Sequence, residues 1–153
     1  MFQNDQSAQD ALVATAELPT LKGLIGRPLF PHEPGIANES REARLTGQYL
    51  LPVLGELEQF FLALRARVDR VLIDRLANKG GKLYPYGQCL EITLAVQEQL
   101  GRPCADGLDA AALAGRAAFL AFVQAGGTVR QVWGDLRGQF FQNAFLIGTL
   151  YVD

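Results

Sequence analysis

The stretch Leu50-Leu51-Pro52-Val53-Leu54-Gly55-Glu56-Leu57-Glu58-Gln59-Phe60-Phe61-Leu62-Ala63-Leu64-Arg65-Ala66-Arg67-Val68-Asp69-Arg70-Val71 decides the fold. Within it Leu50, Leu54, Leu57, Phe61, Leu64, Val68 and Val71 recur at alternating intervals of four and three, the a/d stripe of a heptad repeat. Such a stripe predicts a long helix with another helix packed alongside at a shallow angle. Arg65, Arg67, Asp69, Arg70, Asp74 and Arg75 then fall on its solvated flanks. Pro52 lacks a backbone donor, so the spine is predicted to kink there or to divide into helices over 39–51 and 53–77. Asn38 or Ser40 can cap its start, and Asn78-Lys79-Gly80-Gly81 supplies the glycines that end it.

Toward the C-terminus a second helix is predicted after Pro85 as far as Leu100, stopped by Gly101 and Pro103. Its stripe is Cys89, Ile92, Val96 and Leu100, with Leu90 and Leu94 widening the face. Asp106 or Asp109 caps a third helix to about Ala125. Its small residues, Ala110, Ala111, Ala112, Gly115, Ala117 and Ala118, permit close approach of a neighbouring helix. Gly126-Gly127 ends it, and Thr128 is predicted to cap a short helix, Val129–Leu136, that carries the single tryptophan, Trp133. Two readings stay open for 139–153. Gly148-Thr149 between Ala144–Ile147 and Leu150–Asp153 has the form of a tight hairpin with glycine first in a II′ turn. Phe141, Phe145 and Gly148 fit a helical face equally well. The closing Leu150-Tyr151-Val152-Asp153 carries no polar tail and reads as a sequence that ends where an ordered fragment ends.

Toward the N-terminus, alanine-rich residues 7–18 favour helix, with Ser7 and Asp10 resembling a capping box. Pro19, Pro28, Pro31 and Pro34, together with Gly23, Gly26 and Gly35, then rule out a long helix. A stretch of this length without regular structure is unusual in a compact domain, so it either serves function or wraps the surface with Leu21, Leu24, Ile25, Leu29 and Phe30 as anchors. The wrap is the preferred reading.

The chain has 153 residues, enough for a single domain that buries roughly 68–70% of its unfolded surface. Its content of 49% apolar and 20% charged residues is that of a globular protein and not of a disordered one. The predicted class is mainly α: a helical domain built on the long heptad-patterned helix, with a short C-terminal β-hairpin if the second half of 139–153 is strand.

A net charge of −2 gives no push toward nucleic acid or anionic membrane, so neither is expected as a partner. No apolar run approaches ~18 residues, and the first residues have neither a basic nor an apolar segment, which leads to the expectation of a cytoplasmic protein. Cys89 and Cys104 lack zinc-ligand spacing and make no disulfide framework, and free thiols are expected. With one histidine the chain cannot supply the paired Glu-x-x-His ligands of a di-iron bundle. The carboxylates Glu56, Glu58, Asp69 and Asp74 can be answered by arginines on the same helix. No metal and no cofactor is expected.

Cys89 is the residue whose setting suggests chemistry. A thiol in the first turn of a helix meets the positive end of the macrodipole and unpaired N–H groups, which favour the thiolate. Tyr84-Pro85-Tyr86-Gly87-Gln88 places a turn and a small residue before it, as an approaching ligand requires. Tyr84, Tyr86, Gln88 and Trp133 are therefore candidate binding residues. Against this, Cys89 continues an apolar stripe, and cysteine is among the most often buried residues.

At Gly87-Gln88-Cys89, and again at Gln142-Asn143-Ala144-Phe145 followed by Leu150-Tyr151-Val152-Asp153, the chain resembles the papain-like and transglutaminase-like thiol hydrolases. The resemblance covers residues 84–153 and implies an α+β papain-like core as the alternative fold. In that superfamily a cysteine opens a helix after a glycine-containing turn, and a later strand pair brings a histidine and then an orienting acid or amide. The resemblance implies Cys89 in the nucleophile's place and Asp153 in the orienting acid's place. Asn143 stands where the histidine would be, and an amide cannot take a proton from a thiol. The implied relative is a degenerate, non-hydrolytic one.

His32, in Phe30-Pro31-His32-Glu33-Pro34, could act as the base for Cys89, since triads are defined by geometry and not by chain order. The leading functional reading is a non-enzymatic interaction or regulatory domain that binds a protein partner, or itself, through its helices. The first alternative is a cysteine-dependent hydrolase or transferase with Cys89 as nucleophile. The second is a small-molecule pocket between helices lined by Phe60, Phe61, Tyr84, Tyr86 and Phe122.

Overall fold

The computed structural model describes residues 35–77, 79–102, 106–136 and 140–153. The predicted helix over 7–18, the anchors Leu21 to Phe30, His32 and Cys104 lie outside them. In chain order the elements are α1 (Glu39–Leu45), a π turn (Thr46–Leu50), a 3-10 turn (Leu51–Val53), α2 (Leu54–Leu76), a second 3-10 turn (Lys79–Gly81), α3 (Cys89–Leu100), α4 (Ala110–Gln124), β1 (Val129–Leu136), β2 (Phe140–Ile147) and β3 (Leu150–Val152). The fold is mainly helical, with the three strands forming an antiparallel meander in the order β1-β2-β3.

The spine divides at Pro52 as its missing donor requires. Pro52 sits in the 3-10 turn between the π turn and α2, and Val53 leaves helical geometry at φ −130°, ψ 36°. On α2 the buried row is Leu57, Phe60, Leu64, Val68 and Leu72. It departs from the heptad stripe, because Phe61 is only half-buried and Val71 is 57% exposed. A straight helix drifts by about 20° per heptad against a 3.5-residue repeat. Without a supercoiled partner, the inward position therefore slides from Val71 to Leu72. What α2 packs against most closely is α4. Gly115 of α4 is buried against the backbone of Glu56 and Leu57, and a Cβ there would run into the Glu56 carbonyl. The small residues of α4 thus permit the close crossing that the sequence predicts. Asp109 caps α4 by accepting from the Ala112 N–H at 2.8 Å.

Residues 129–136 form strand β1 and not the predicted short helix. Val129, Val132 and Trp133 are β-branched or aromatic, and the segment pairs with β2 over its whole length, from Val129 opposite Ile147 to Leu136 opposite Phe140. Thr128 is no helix cap. Its N–H donates to Glu42 Oε2 at 3.0 Å and its carbonyl accepts from the Gly148 N–H at 2.8 Å. The hairpin reading of the C-terminus holds, with Ile147 opposite Leu150 and Gly148-Thr149 between them. Gly148 has φ 59° while Thr149 does not share a positive φ, the combination a II′ turn needs. A side chain at Gly148 would also strike Thr46 Oγ1 and the Phe122 ring.

In β1 and β2 the odd-numbered residues face the helices and the even-numbered ones the opposite face; the two-residue turn reverses the parity in β3, where Leu150 and Val152 face the helices and Tyr151 faces away. Phe145 and Ile147 join Leu57, Leu64, Ile92, Val96, Phe119 and Phe122 in the main core, whereas Val132, Ala144 and Leu146 form a smaller cluster with Ile36 and Tyr151. Among the described residues no helix is long and apolar enough to cross a membrane.

Candidate functional site

The site begins where α2 hands over to α3. Tyr84 donates its hydroxyl to Asp69 of α2, and Arg65 Nε donates to the same Asp69 Oδ1 at 2.7 Å. Burial, and then the neighbouring Asp69 carboxylate, push the Tyr84 phenol up to about 12. Gln88 is buried at 1% exposure, and its Nε2 donates to the Leu76 carbonyl at 3.0 Å. The last turn of α2 is thereby tied to the first turn of α3, where Cys89 is the opening residue. Gly87, at φ 70°, completes the turn, and a Cβ on it would lie 3.1 Å from the Lys82 side chain.

Cys89 is half-buried, and Ile92, Thr93 and Val96 form the inward row of α3. Leu90 and Leu94 do not widen that row, since they are 45% and 49% exposed. Thr93 takes their place because its hydroxyl is satisfied where it is buried, 2.7 Å from the Cys89 carbonyl and 3.3 Å from the Asn143 carbonyl. That contact sets α3 against the middle of β2. Across it the Asn143 carboxamide donates from Nδ2 to Cys89 Sγ at 3.4 Å.

Asp153, which follows β3, is bonded to Gln142 Nε2 and not to Asn143. Desolvation pushes its carboxyl above the ordinary range, while the Gln142 hydrogen bond and the Arg65 charge pull it back. Desolvation also raises the Tyr151 phenol to about 12, assisted by Asp153 and Cys89. These groups open onto a cleft of about 900 Å³ bounded by α2, the turn at 82–87, α3, β2 and β3. Its walls are largely apolar, with Leu57, Phe61, Leu62, Ile92, Phe145 and Val152 among them.

Of the predicted site residues, the structure brings Cys89 and Asn143 into contact and puts Asp153 on the same cleft. Tyr86 stands at the rim, 72% exposed. Tyr84 and Gln88 lie behind it and hold the turn in place. Trp133 is 64% exposed on β1, opposite Asn143, and is not part of the cleft wall. Of the predicted aromatic pocket only Phe61 and Tyr86 line the cleft, because Phe60 and Phe122 are buried in the main core. Thr93, Gln142 and Tyr151 were not foreseen. Thr93 could have been noticed as the polar residue one step from the α3 stripe, but the other two depend on the strand register.

Family models, curated proteins and solved structures give no match to this chain. The chemistry therefore rests on the geometry. The carboxamide of Asn143 can donate a hydrogen bond to sulfur but cannot accept the thiol proton. Tyr151, with its phenol near 12, is not ionised at neutral pH and cannot act as the base. Among the described residues no cluster of His, Cys, Asp and Glu could hold a metal ion.

Proposed function

We propose that the chain is a non-enzymatic binding domain, built on a frame resembling a degenerate thiol hydrolase, that holds a ligand in the cleft beside Cys89. The observation that carries this reading is the 3.4 Å contact from Asn143 Nδ2 to Cys89 Sγ. It puts a donor where catalysis of thiol attack needs an acceptor, and it does so in the wall of an apolar cleft of about 900 Å³. The apolar row of α2 is taken up by the domain's own core, so the cleft and not the helix stripe is the favoured place for a ligand.

The test is native-state alkylation with iodoacetamide at pH 6, read at Cys89 by peptide mass mapping, together with burst release from p-nitrophenyl acetate. The wild type is expected to label slowly at Cys89 and to give no burst. Asn143→His restores an imidazole at the thiol and is expected to speed labelling at pH 6 on the order of tenfold. Rapid wild-type labelling, with a burst abolished in Cys89→Ala, would overturn the reading in favour of a cysteine-dependent hydrolase or transferase whose base is His32 or lies beyond this sequence.

A further inference from the structure

The charges around the cleft are unevenly compensated, and this imbalance points to a class of ligand. Among the described residues, four charged ones line it: Glu58, Arg65, Lys82 and Asp153. Glu58, Lys82 and Asp153 are all exposed, so water screens each of them, and Glu58 and Lys82 offset each other in sign. Arg65 is committed to Asp69 through the 2.7 Å bond from Nε. Asp153 receives its hydrogen bond from the uncharged Gln142 amide, and Arg65 acts on it more weakly than that bond does. At this end of the cleft one guanidinium thus faces two carboxylates, Asp69 and Asp153, and the surplus negative charge lies on the one that lines the cavity. The remaining wall is apolar, and its aromatic members Phe61, Tyr86 and Tyr151 offer π faces of the kind that attract organic cations.

We propose that the cleft takes a small amphipathic cation, its apolar body between α2, α3 and the sheet and its ammonium group against the Asp153 carboxylate. The inference rests on the reading of the cleft as a binding site. Its volume of about 900 Å³ is that of a small-molecule pocket, for which about 300–1,000 Å³ is usual, and not that of a protein interface.

Isothermal titration of the full chain with three matched probes, octylammonium chloride, sodium octanoate and octanol, tests it. Octylammonium is expected to bind about fivefold tighter than either of the others, the effect of one partly exposed ion pair. Asp153→Asn is expected to remove that preference while leaving octanol binding unchanged, and Asp153→Glu to restore it. Equal binding of octylammonium and octanol, tighter binding of octanoate, or a preference that survives Asp153→Asn would overturn the head-group assignment yet leave a binding cleft standing. Binding of none of the three would overturn the assignment together with the cleft itself. Catalysis by the wild-type thiol would overturn the non-enzymatic reading without touching the head-group preference.

Discussion

Tyr84 and Tyr151 flank the site from opposite sides, one on the turn before α3 and one on β3, and both phenols are pushed to about 12. Each folded-state value lies above the unfolded value of 10.0, so the folded protein retains a proton that the unfolded chain releases. The stabilisation this provides is complete below pH 10 and is lost as the pH rises through about 12. Spectrophotometric titration of phenolate absorbance should accordingly show a late-ionising component. Tyr84→Phe and Tyr151→Phe should each remove part of it and flatten the alkaline fall in stability. A titration in which neither variant changes the late component would contradict the burial of both phenols. For Tyr84 the same experiment reports on the bond to Asp69, since Asp69→Asn removes the charge that opposes phenolate and should bring ionisation earlier.

At the scale of elements, the crossing of α2 and α4 sets two opposing effects against each other at glycine. Replacing a helical glycine by alanine gains up to about 1 kcal/mol in propensity. At Gly115 the new methyl would meet the Glu56 carbonyl and Leu57 N–H, an overpacking that costs about 1–3 kcal/mol or more. Gly115→Ala should therefore destabilise. Gly55→Ala, on the partner helix with nothing within 4 Å of the added carbon, should be neutral or slightly stabilising. Denaturant midpoints of the two variants settle the point, and a Gly115→Ala protein as stable as the wild type would mean that the helices do not approach this closely. This crossing was legible in the sequence because small residues in a row carry their own meaning, and so was the break at Pro52. The heptad stripe misplaced Phe61 and Val71, since a strict 3.5-residue repeat assumes a supercoil, whereas the buried row of α2 runs through Phe60 and Leu72. The β1 segment was misread because Thr128 followed by eight residues fits a cap and two turns as well as it fits a strand. What decides is a long-range fact, the eight-residue register with β2. The Cys89–Asn143 pair was legible residue by residue, whereas the link from Gln142 to Asp153 depends on how the three strands align.

For the molecule as a whole, the question is whether the helices and the sheet can come apart. Leu45 and Leu50 before α2, Phe119 and Phe122 of α4, and Phe145, Ile147 and Leu150 of the sheet belong to one buried cluster. Side-chain hydrogen bonds join the N-terminal helical segment to the sheet: Glu42 accepts from the Thr128 N–H at the start of β1, and Thr46 Oγ1 accepts from the Thr149 N–H at 3.1 Å. Within the sheet, the Gly148 N–H at the β2–β3 turn donates to the Thr128 carbonyl. Glu42 is 1% exposed, and removing its side chain breaks the hydrogen bond from the Thr128 N–H to a carboxylate, at a cost of about 1.5–3 kcal/mol. Because the bond joins two parts of one core, the loss should fall on the whole transition and not on the sheet alone. Far-UV circular dichroism follows the helices, and the fluorescence of Trp133, the sole tryptophan, follows β1. In the wild type the two denaturation curves should coincide. In Glu42→Ala both midpoints should move down together. A tryptophan transition that precedes the helical one would mean that the sheet melts as a separate unit, and then the wall of the cleft carrying Asn143 could open without unfolding α3.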